Sequence, residues 1–331
     1  MTNYYDNVFI IDKFSFLASD KFNPVIIDNT DKFKNDYYMG EKTIEQAESR
    51  YQEETIKGLL NKRNIRSKDI DLLISGDLQN QILSSTLASS KFKIPTLGIY
   101  SACATFIEGL IIASNIIDKS SKRVIVTSSS HNLVSEKQFR YPVEYGAVRK
   151  RVNTLTASGS ISVLLSNEES NIKVESSTIG SIYQTNHKDA NDMGSAMAVS
   201  CTEVIHKHLR DTKRESNYYD LILTGDLGIY GVKILKEYYK KKYKSELSNV
   251  IDAGSIFYTE ENIFAGCSGP ACLALTFFDY ILTNKKYKRI FYKEEPTIEI
   301  WVKIAVEGQE EDFVTVLYLF DYTKGVEKFR G

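Results

Sequence analysis

The stretch Asp71–Leu78 reads D-L-L-I-S-G-D-L, and Asp220–Leu227 repeats it as D-L-I-L-T-G-D-L. Each copy is a short run rich in Leu and Ile that ends in Gly-Asp, which is the pattern of a buried strand that stops at a turn. The two copies lie almost half a chain apart. We therefore expect two similar α/β units that pack face to face, with a site between them.

A second pair of similar segments follows, one after each copy of the repeated strand. Ser101-Ala-Cys-Ala-Thr-Phe leads into an apolar helix, Thr105–Ile117, and then into an apolar strand that starts at Lys122. Cys267-Ser-Gly-Pro-Ala-Cys leads into an apolar helix, Pro270–Leu282, and then into a strand at 288–293. A helix that is apolar on nearly all sides is buried on all sides. The pattern predicts a sandwich in which sheets flank a central layer of buried helices.

The remaining elements follow from periodicity and turn signals. They are a strand at Pro24–Asp28, an amphipathic helix at Glu41–Leu60, strands at Ile94–Tyr100, Val124–Ser128, Ser160–Leu165 and Lys173–Ile182, and a closing hairpin of Glu299–Val306 and Phe313–Phe320 around the acidic turn 307–312. The chain has no low-complexity linker, so halves 1–170 and 171–331 are expected to share one interface.

Composition excludes several classes of function. The 42 Lys and Arg residues nearly balance 43 Asp and Glu residues, which gives no electrostatic reason to expect a nucleic-acid partner. No segment resembles a signal peptide, and none approaches the roughly 18 apolar residues of a membrane span. The four cysteines form no C-x-x-C pair and have no His at metal-binding spacing. We predict reduced intracellular thiols, no metal site and no cofactor.

Cys103 is the sharpest candidate for chemistry. It follows a strand and opens a helix, where the helix dipole and nearby N–H groups favour a thiolate and lower the pKa of the thiol. The alternative is a small buried hydrophobic residue, the commonest fate of a free cysteine. His131 follows the strand 124–130 and is a candidate base for Cys103, or else a hydrogen-bonded loop residue.

Other polar groups carry weaker signals. Arg140 lies in a predicted loop, Gln138–Gly146, that is rich in aromatic and charged residues. It would either form a bidentate ion pair with a ligand carboxylate or pair with a nearby Glu. The glycine-rich stretch Gly266–Ala271 lacks the Lys of a phosphate loop and is expected to let backbones approach closely at the site.

The other histidines and the lysine-rich segment are read as structural or surface features. His206 and His208 are two residues apart and would point to different faces of a helix, so they do not form a metal pair. His187 lies in a polar loop. Lys236–Lys244 would either touch anionic lipid or form a solvated helix face, and the second reading is favoured.

Eight stretches together resemble the stage V sporulation protein AD family, a branch of the thiolase-like and ketoacyl-synthase-like superfamily. They are G-D-L-Q-N-Q (76–81), A-C-A-T-F-I-E-G-L (102–110), S-S-H-N (129–132), E-K-Q-F-R-Y-P-V-E-Y-G (136–146), N-D-M-G-S-A-M-A (191–198), H-L-R-D (208–211), Y-D-L-I-L-T-G-D-L-G (219–228) and A-G-C-S-G-P-A-C (265–272). They lie within residues 40–290 in the family's order, and the 136–146 block is highly specific.

The resemblance implies an α/β fold, a thiolase-like duplicated α-β-α-β-α sandwich with two similar halves and a central buried helix layer. It implies a role in spore formation, in which the protein binds dipicolinic acid and, with membrane proteins of the same sporulation operon, assists its uptake into the developing spore and its release at germination. The expected place is intracellular, at the spore inner membrane and without a transmembrane segment. Superfamily relatives are commonly dimers, so a homodimer is expected.

The same resemblance places Cys103 where the superfamily has its acyl-accepting nucleophile. Condensing enzymes also use His or Asn groups from the second half, and no His follows residue 208 here. We therefore expect a vestigial nucleophile in a pocket that binds without catalysis, with Cys103, His131, Arg140, Gly266, Ser268 and Gly269 as ligand contacts.

Two alternatives stay open. One is an acyl-transferring enzyme that acts through Cys103, and the other is a docking subunit that binds no small molecule. The second is kept because the segment Tyr292–Thr297 departs from the loop that the family has at this place. Cys267 also stands where the family has a small residue, and Leu155 replaces an aromatic residue.

Overall fold

The protein is described here by a computed structural model, which covers residues 1–19, 21–120, 122–139, 151–181, 183–184, 192–219, 221–258, 263, 265–283, 297–303, 312–313 and 315–321. The helices are α1 Pro24–Asn29, α2 Ile44–Arg63, α3 Leu83–Ser89, α4 Thr105–Ile117, α5 Asn132–Phe139, α6 Met193–Thr212, α7 Gly228–Tyr243, α8 Gly254–Phe257 and α9 Pro270–Thr276. A π-helical turn, Phe277–Ile281, continues α9.

The strands are β1 Thr2–Tyr4, β2 Phe9–Leu17, β3 Lys32–Phe33, β4 Leu72–Gly76, β5 Thr96–Gly98, β6 Val124–Ser130, β7 Leu155–Thr156, β8 Gly159–Ser166, β9 Ile172–Ile179, β10 Tyr183–Gln184, β11 Ile222–Thr224, β12 Val250–Asp252, β13 Cys267–Ser268, β14 Thr297–Lys303, β15 Asp312–Phe313 and β16 Thr315–Asp321. Twelve of them form one mixed sheet, and β10 with β15 and β13 with β7 form two short pairs.

The strand order of the large sheet repeats itself. The first five-strand set runs β5-β4-β6-β8-β2 and the second runs β12-β11-β14-β16-β9. In the first set, β4 lies parallel to β5 and β6, and β6 pairs antiparallel with β8. In the second set, β11 lies parallel to β12 and β14, and β14 pairs antiparallel with β16. The duplicated phrase therefore lies on β4 and β11, at matching places of the two sets.

Alternation along the strands places helices on both faces of each set. In β6, Ile125 packs in a cluster with α2, whereas Val124 and Val126 pack in the main core with α4. In β11, Ile222 packs with α6 and α7, whereas Leu223 packs in the main core with α9. The buried helices α4 and α9 thus share one core with both strand sets, as the apolar patterns predicted.

Several features differ from the sequence-based expectations. The sequence predicts an irregular lead-in over residues 1–40 apart from one strand, whereas Phe9–Leu17 forms β2 in the middle of the large sheet. Pro24–Asp28 is helical rather than a strand, because Asn23 accepts a hydrogen bond from Val25 N and Pro24 fits the first helical turn. The two expected sheets are joined edge to edge, because β2 pairs with β9 through Phe9–Lys173 and Ile10–Ile172. This joint makes one continuous sheet.

Most other element predictions are confirmed within one to four residues, including α4 with both of its ends and the antiparallel pairing of β14 with β16. The start of the predicted loop 138–146 is instead the last turn of α5. The rest of that loop, the strand at 288–293 and the acidic turn at 307–312 lie outside the described residues. The division at residue 170 stays a prediction.

Candidate functional site

Cys103 lies in a short 3₁₀ turn, Ala102–Ala104, between β5 and α4. The turn begins at Ala102 with φ of 47°, a left-handed conformation that non-glycine residues seldom adopt. The Thr105 hydroxyl accepts a hydrogen bond from Ser101 N (3.0 Å) and donates one to Ala102 O (2.8 Å). The Cys103 side chain is therefore held, half-buried, at the first turn of a buried helix.

The start of α9 completes this side of the site, because the Cys103 turn contacts α9. Gly269 has φ of 105°, and a Cβ there would lie 2.9 Å from both Ser130 Oγ and Thr156 Cγ2. Gly266 has φ of 93°, and its Cβ would lie 2.5 Å from Gly254 O. These close approaches confirm the expected backbone packing before α9.

Ser268 is buried beside Gly269, and its hydroxyl accepts a hydrogen bond from Thr154 Oγ1 at 2.9 Å. Two serines that the sequence reasoning missed face the same region. Ser128 Oγ donates to Pro270 O (3.4 Å), and Ser130 lies against Gly269 while donating to Ala157 O (2.8 Å). Both serines lie an even number of residues after Val124 and therefore share its face of β6. Strand alternation was thus the signal that could have identified them.

His131 lies on the other face of the sheet. Its ring is fully buried and stacks on Tyr51 of α2, with centroids 5.5 Å apart. Its Nε2 lies 3.1 Å from Tyr37 O, and its Nδ1 accepts a hydrogen bond from Leu133 N at 3.2 Å. Burial lowers the pKa of His131 to about 4, so the ring is neutral, with Nε2–H donating to Tyr37 O.

A buried polar cluster adjoins His131 on that face. The Glu48 carboxyl accepts hydrogen bonds from Ser129 Oγ (2.9 Å) and Gln79 Nε2 (3.0 Å). Asp77, at the end of the first repeated phrase, accepts from Gln79 N and Ser85 N, both at 2.7 Å. Burial and the nearby Asp77 raise the pKa of Glu48 to about 8, and burial also raises the pKa of Asp77.

Gln52 ties this cluster together. Its amide donates to Gly76 O, Ser85 Oγ and Ser129 Oγ, and its carbonyl accepts from Ser75 Oγ at 2.9 Å. The cluster joins α2, α3 and the carboxyl ends of β4 and β6 with internally satisfied hydrogen bonds. Its members were not identified from the sequence, because polar residues on an amphipathic helix are normally solvent-facing.

The second half has its own buried carboxyl. Asp252 accepts hydrogen bonds from Thr224 Oγ1 (2.9 Å), Leu227 N (3.1 Å) and Gly228 N (3.0 Å), and burial raises its pKa to about 6. Nearby, Cys267 and Cys272 are fully buried, and burial raises the pKa of both thiols. Buried thiols of raised pKa are unreactive, which leaves Cys103 as the accessible cysteine.

The remaining histidines have structural surroundings. His208 is buried, with Nδ1 2.8 Å from Thr178 Oγ1 and Nε2 3.1 Å from Tyr219 OH. His206 stacks on Tyr243 with ring centroids 3.6 Å apart. Arg140 and His187 lie outside the described residues.

Two kinds of feature are absent from the described part of the chain. No group of three His, Cys, Asp or Glu side chains converges there as metal ligands. None of the helices described is long and apolar enough to cross a membrane.

Comparisons with known proteins identify both a family and a fold. The family model described as stage V sporulation protein AD matches residues 5–294. The chain is 37% identical over 266 residues to the stage V sporulation protein AD of Bacillus subtilis (strain 168), covering 79% of each chain.

Solved structures with the same architecture are more distant in sequence. They include a 3-oxoacyl-[acyl-carrier-protein] synthase III from Aquifex aeolicus VF5, with a TM-score of 0.58, 15% identity and coverage of 95% of this chain and 100% of that chain. A cerulenin-bound OleA from Xanthomonas campestris gives a TM-score of 0.62 with 13% identity, covering 96% of this chain and 98% of that chain. At such identities the likeness shows the fold alone.

Proposed function

The chain belongs to the stage V sporulation protein AD family, and from that premise we propose that it binds dipicolinic acid without catalysing a reaction on it. In this proposal it assists uptake of dipicolinate into the developing spore, and its release at germination, together with membrane proteins of the same sporulation operon. We also infer that the repeated strand order reflects a duplicated α-β-α-β-α sandwich, with α4 and α9 as its central layer.

The observation that carries the proposal is the separation of Cys103 from His131. The Cys103 turn opens α4 and contacts α9, on one face of the sheet. The His131 ring stacks on α2, on the opposite face, with both nitrogens occupied. In this arrangement the His131 ring is not placed to act as the base for Cys103, whereas the helix start at Cys103 still favours an anionic ligand.

The helix starts around Cys103 further support the binding of an anionic ligand. The first turn of α4 offers N–H groups at the positive end of a helix dipole. Ser128, Ser130 and Ser268 are buried beside Gly269, where the absence of a Cβ lets Ser130 and Thr156 pack closely against the start of α9 and hold it next to the Cys103 turn. Arg140 is proposed as the cationic partner of one carboxylate, as the sequence reasoning expected.

The test is calorimetric titration of the purified chain with dipicolinate. Wild-type protein should bind saturably, and Arg140→Ala should weaken binding by about 1.5–3 kcal/mol, as for a hydrogen bond to a charged group. Arg66→Ala is the matched control, because the Arg66 side chain is 70% exposed and pairs only with Asp69 among the described residues. Absence of heat from folded wild-type protein would favour the docking-subunit alternative.

A second candidate function, acyl transfer through Cys103, is favoured by the left-handed Ala102 that presents the thiol at a helix start. Incubation with acyl-coenzyme A followed by intact-mass measurement distinguishes it from the first. A covalent acyl adduct that Cys103→Ala abolishes would support acyl transfer.

We also propose that the protein is a homodimer, which pairs through β5. Among the described strands, β5 lies at one edge of the large sheet and β12 at the other. Leu73 N donates to Pro95 O and Ile99 N donates to Ser75 O, so by alternation Thr96 and Gly98 turn their backbone groups away from β4. Large apolar side chains surround this edge, and Leu83, Leu87, Leu97 and Tyr100 are each 41–45% exposed.

A further inference from the structure

The lysines of α7 form a stripe on one face of the helix. Lys233, Lys236, Lys240 and Lys241 lie on one side of the helix, and Lys244 follows directly as the left-handed residue that ends it. The buried residues of α7, which are Gly228, Gly231, Leu235 and Tyr239, lie on the opposite side. All five lysines except the half-buried Lys236 are exposed, so the stripe faces solvent.

The stripe carries a net positive charge. Within the described residues, Lys240 alone of the five has a carboxylate within ion-pair distance, which is Glu246 at 2.5 Å. Lys242 lies off the stripe and pairs with Glu203 of α6. Glu237 is the one acidic residue within the helical part of the stripe. This local excess contrasts with the near-neutral chain, whose formal net charge is −1.

The helix that carries the stripe is fixed in place. The His206 ring of α6 stacks on the ring of Tyr243 and makes an edge contact with the ring of Tyr239. At the other end, a Cβ on Gly194 would lie 2.3 Å from Leu227 O, so α6 and the start of α7 are closely packed. The helix backbone that carries Lys233 to Lys241 is therefore fixed over about 12 Å at 1.5 Å rise per residue.

The chemistry of the row selects an anionic bilayer surface as its occupant. Nucleic acids and phosphorylated peptides are recognised best by the fork of Arg, and α7 has none. Lysine ammonium groups in a row act as point charges, which suits a plane of mobile anionic headgroups. Ile229, 44% exposed, and the half-buried Tyr230 and Tyr238 flank the row and are suited to the interface of a bilayer.

We propose that the α7 lysine stripe binds directly to membranes rich in anionic lipid. The contact is peripheral and electrostatic, and it orients the second half of the molecule with α7 against the bilayer. It is independent of the dipicolinate proposal, because neither the stripe nor its test involves the Cys103 region.

The experiment is co-sedimentation of the full chain with lipid vesicles at two ionic strengths. One set of vesicles contains phosphatidylcholine alone, and the other contains phosphatidylcholine with about 30% phosphatidylglycerol as the anionic lipid. We expect binding only to the anionic vesicles, and a steep loss at high salt as the charges are screened. Replacing the four lysines that lack an ion pair should weaken the partition coefficient on the order of ten-fold or more. That variant combines Lys233→Gln, Lys236→Gln, Lys241→Gln and Lys244→Gln.

The matched control removes the same charge elsewhere. It combines four exposed lysines of the first half, as Lys42→Gln, Lys57→Gln, Lys68→Gln and Lys119→Gln. Glutamine keeps helix propensity close to that of lysine, and thermal melts verify folding. If the stripe variant does not fold, Lys241→Gln with Lys244→Gln replaces it.

Three results would overturn the proposal. They are absence of wild-type binding to anionic vesicles at low salt, binding that the stripe variant retains, and an equal loss in the control. The last result would show that overall charge, rather than the stripe, drives association.

Discussion

At the scale of single residues, burial rather than contact with solvent decides the chemistry of the titrating groups near the site. His131 and Glu48 are both held in their neutral forms by burial, on the α2 face of the sheet. Cys103 alone of the cysteines reaches solvent. The neutral His131 ring lies on one face of the sheet and the half-exposed Cys103 thiol on the other, which agrees with the proposal of a site that binds without catalysis.

Glu48→Gln should flatten the dependence of stability on pH. In the unfolded chain Glu48 ionises near pH 4.5, but in the folded chain it keeps its proton up to a pKa of about 8. Stability of the wild type therefore falls as pH rises between these values, by at most about 1.4 kcal/mol per pH unit from this group. Urea melts from pH 5 to 8 measure the slope. The exposed Glu237→Gln should leave it unchanged, and an equally steep slope in Glu48→Gln would refute the assignment.

Gly269→Ala should destabilise the protein more than Gly40→Ala. Both glycines have positive φ, 105° and 79°, and Gly269, with ψ of 160°, lies in a region that is essentially restricted to glycine, so Gly269→Ala incurs backbone strain of about 1–3 kcal/mol. Nothing lies within 4 Å of a Cβ at Gly40, whereas a Cβ at Gly269 meets Ser130 and Thr156 at 2.9 Å. The difference between the two melting curves measures the combined effect of this backbone strain and of the close packing beside α9. Equal losses of stability in the two variants would contradict this prediction, because they would show that Ser130 and Thr156 can move to accommodate a Cβ at Gly269.

At the scale of elements, sequence reasoning succeeded where a pattern is local. The length of α4 followed from its apolar composition, and the two repeated strands followed from the Gly-Asp turns that end them. It failed at Pro24–Asp28, where a short apolar run was read as a strand although Asn23 and Pro24 are helix-start signals. The joint between β2 and β9 was unpredictable, because pairing partners distant in sequence leave no local pattern.

The candidate site shows the same division. The positions of Cys103, Gly266, Ser268 and Gly269 followed from the strand–turn–helix patterns around them. The side-chain direction of His131 did not, because it depends on which face of β6 each residue takes. Counting alternation forward from Val124 would have separated Ser128 and Ser130 from Ser129 and His131.

The start of α1 offers a test at this scale. Asn23→Ala removes the cap on Val25 N and also the bond from Asn23 Nδ2 to Ile256 O, which ties α1 to α8. We expect a loss of about 1–2 kcal/mol in the free energy of unfolding. Thr43→Ala, which removes only the cap on Gln46 N in α2, is the comparison and should cost less. Denaturant titration measures both, and a larger loss for Thr43→Ala would contradict the role of Asn23.

At the scale of the whole molecule, two repeated strand sets enclose α4 and α9 and leave β5 at the outer edge. The repeat explains why the Cys103 turn and the α9 start, which follow corresponding strands of the two halves, lie together. The architecture is that of condensing enzymes such as 3-oxoacyl-[acyl-carrier-protein] synthase III, whereas the sequence belongs to a sporulation family.

The dimer proposal predicts that Leu97→Glu yields monomers. Leu97 is 41% exposed at the centre of β5, and a buried carboxylate there would oppose its own copy across a two-fold axis. Sedimentation velocity should show a dimer for the wild type and a monomer for the variant. Ile229→Glu, at a site that is 44% exposed but far from β5 in sequence, should remain dimeric. A monomeric wild type would end the proposal.

The most direct test of binding at Cys103 is its rate of alkylation by iodoacetamide with and without saturating dipicolinate, read by intact mass. Cys201, Cys267 and Cys272 are buried, so modification of the native chain reports on Cys103. We predict slowing of about ten-fold or more by the ligand, reversal on its removal, and no covalent adduct from dipicolinate itself. An unchanged alkylation rate, under conditions where calorimetry shows the ligand bound, would place the ligand elsewhere and contradict the proposed site.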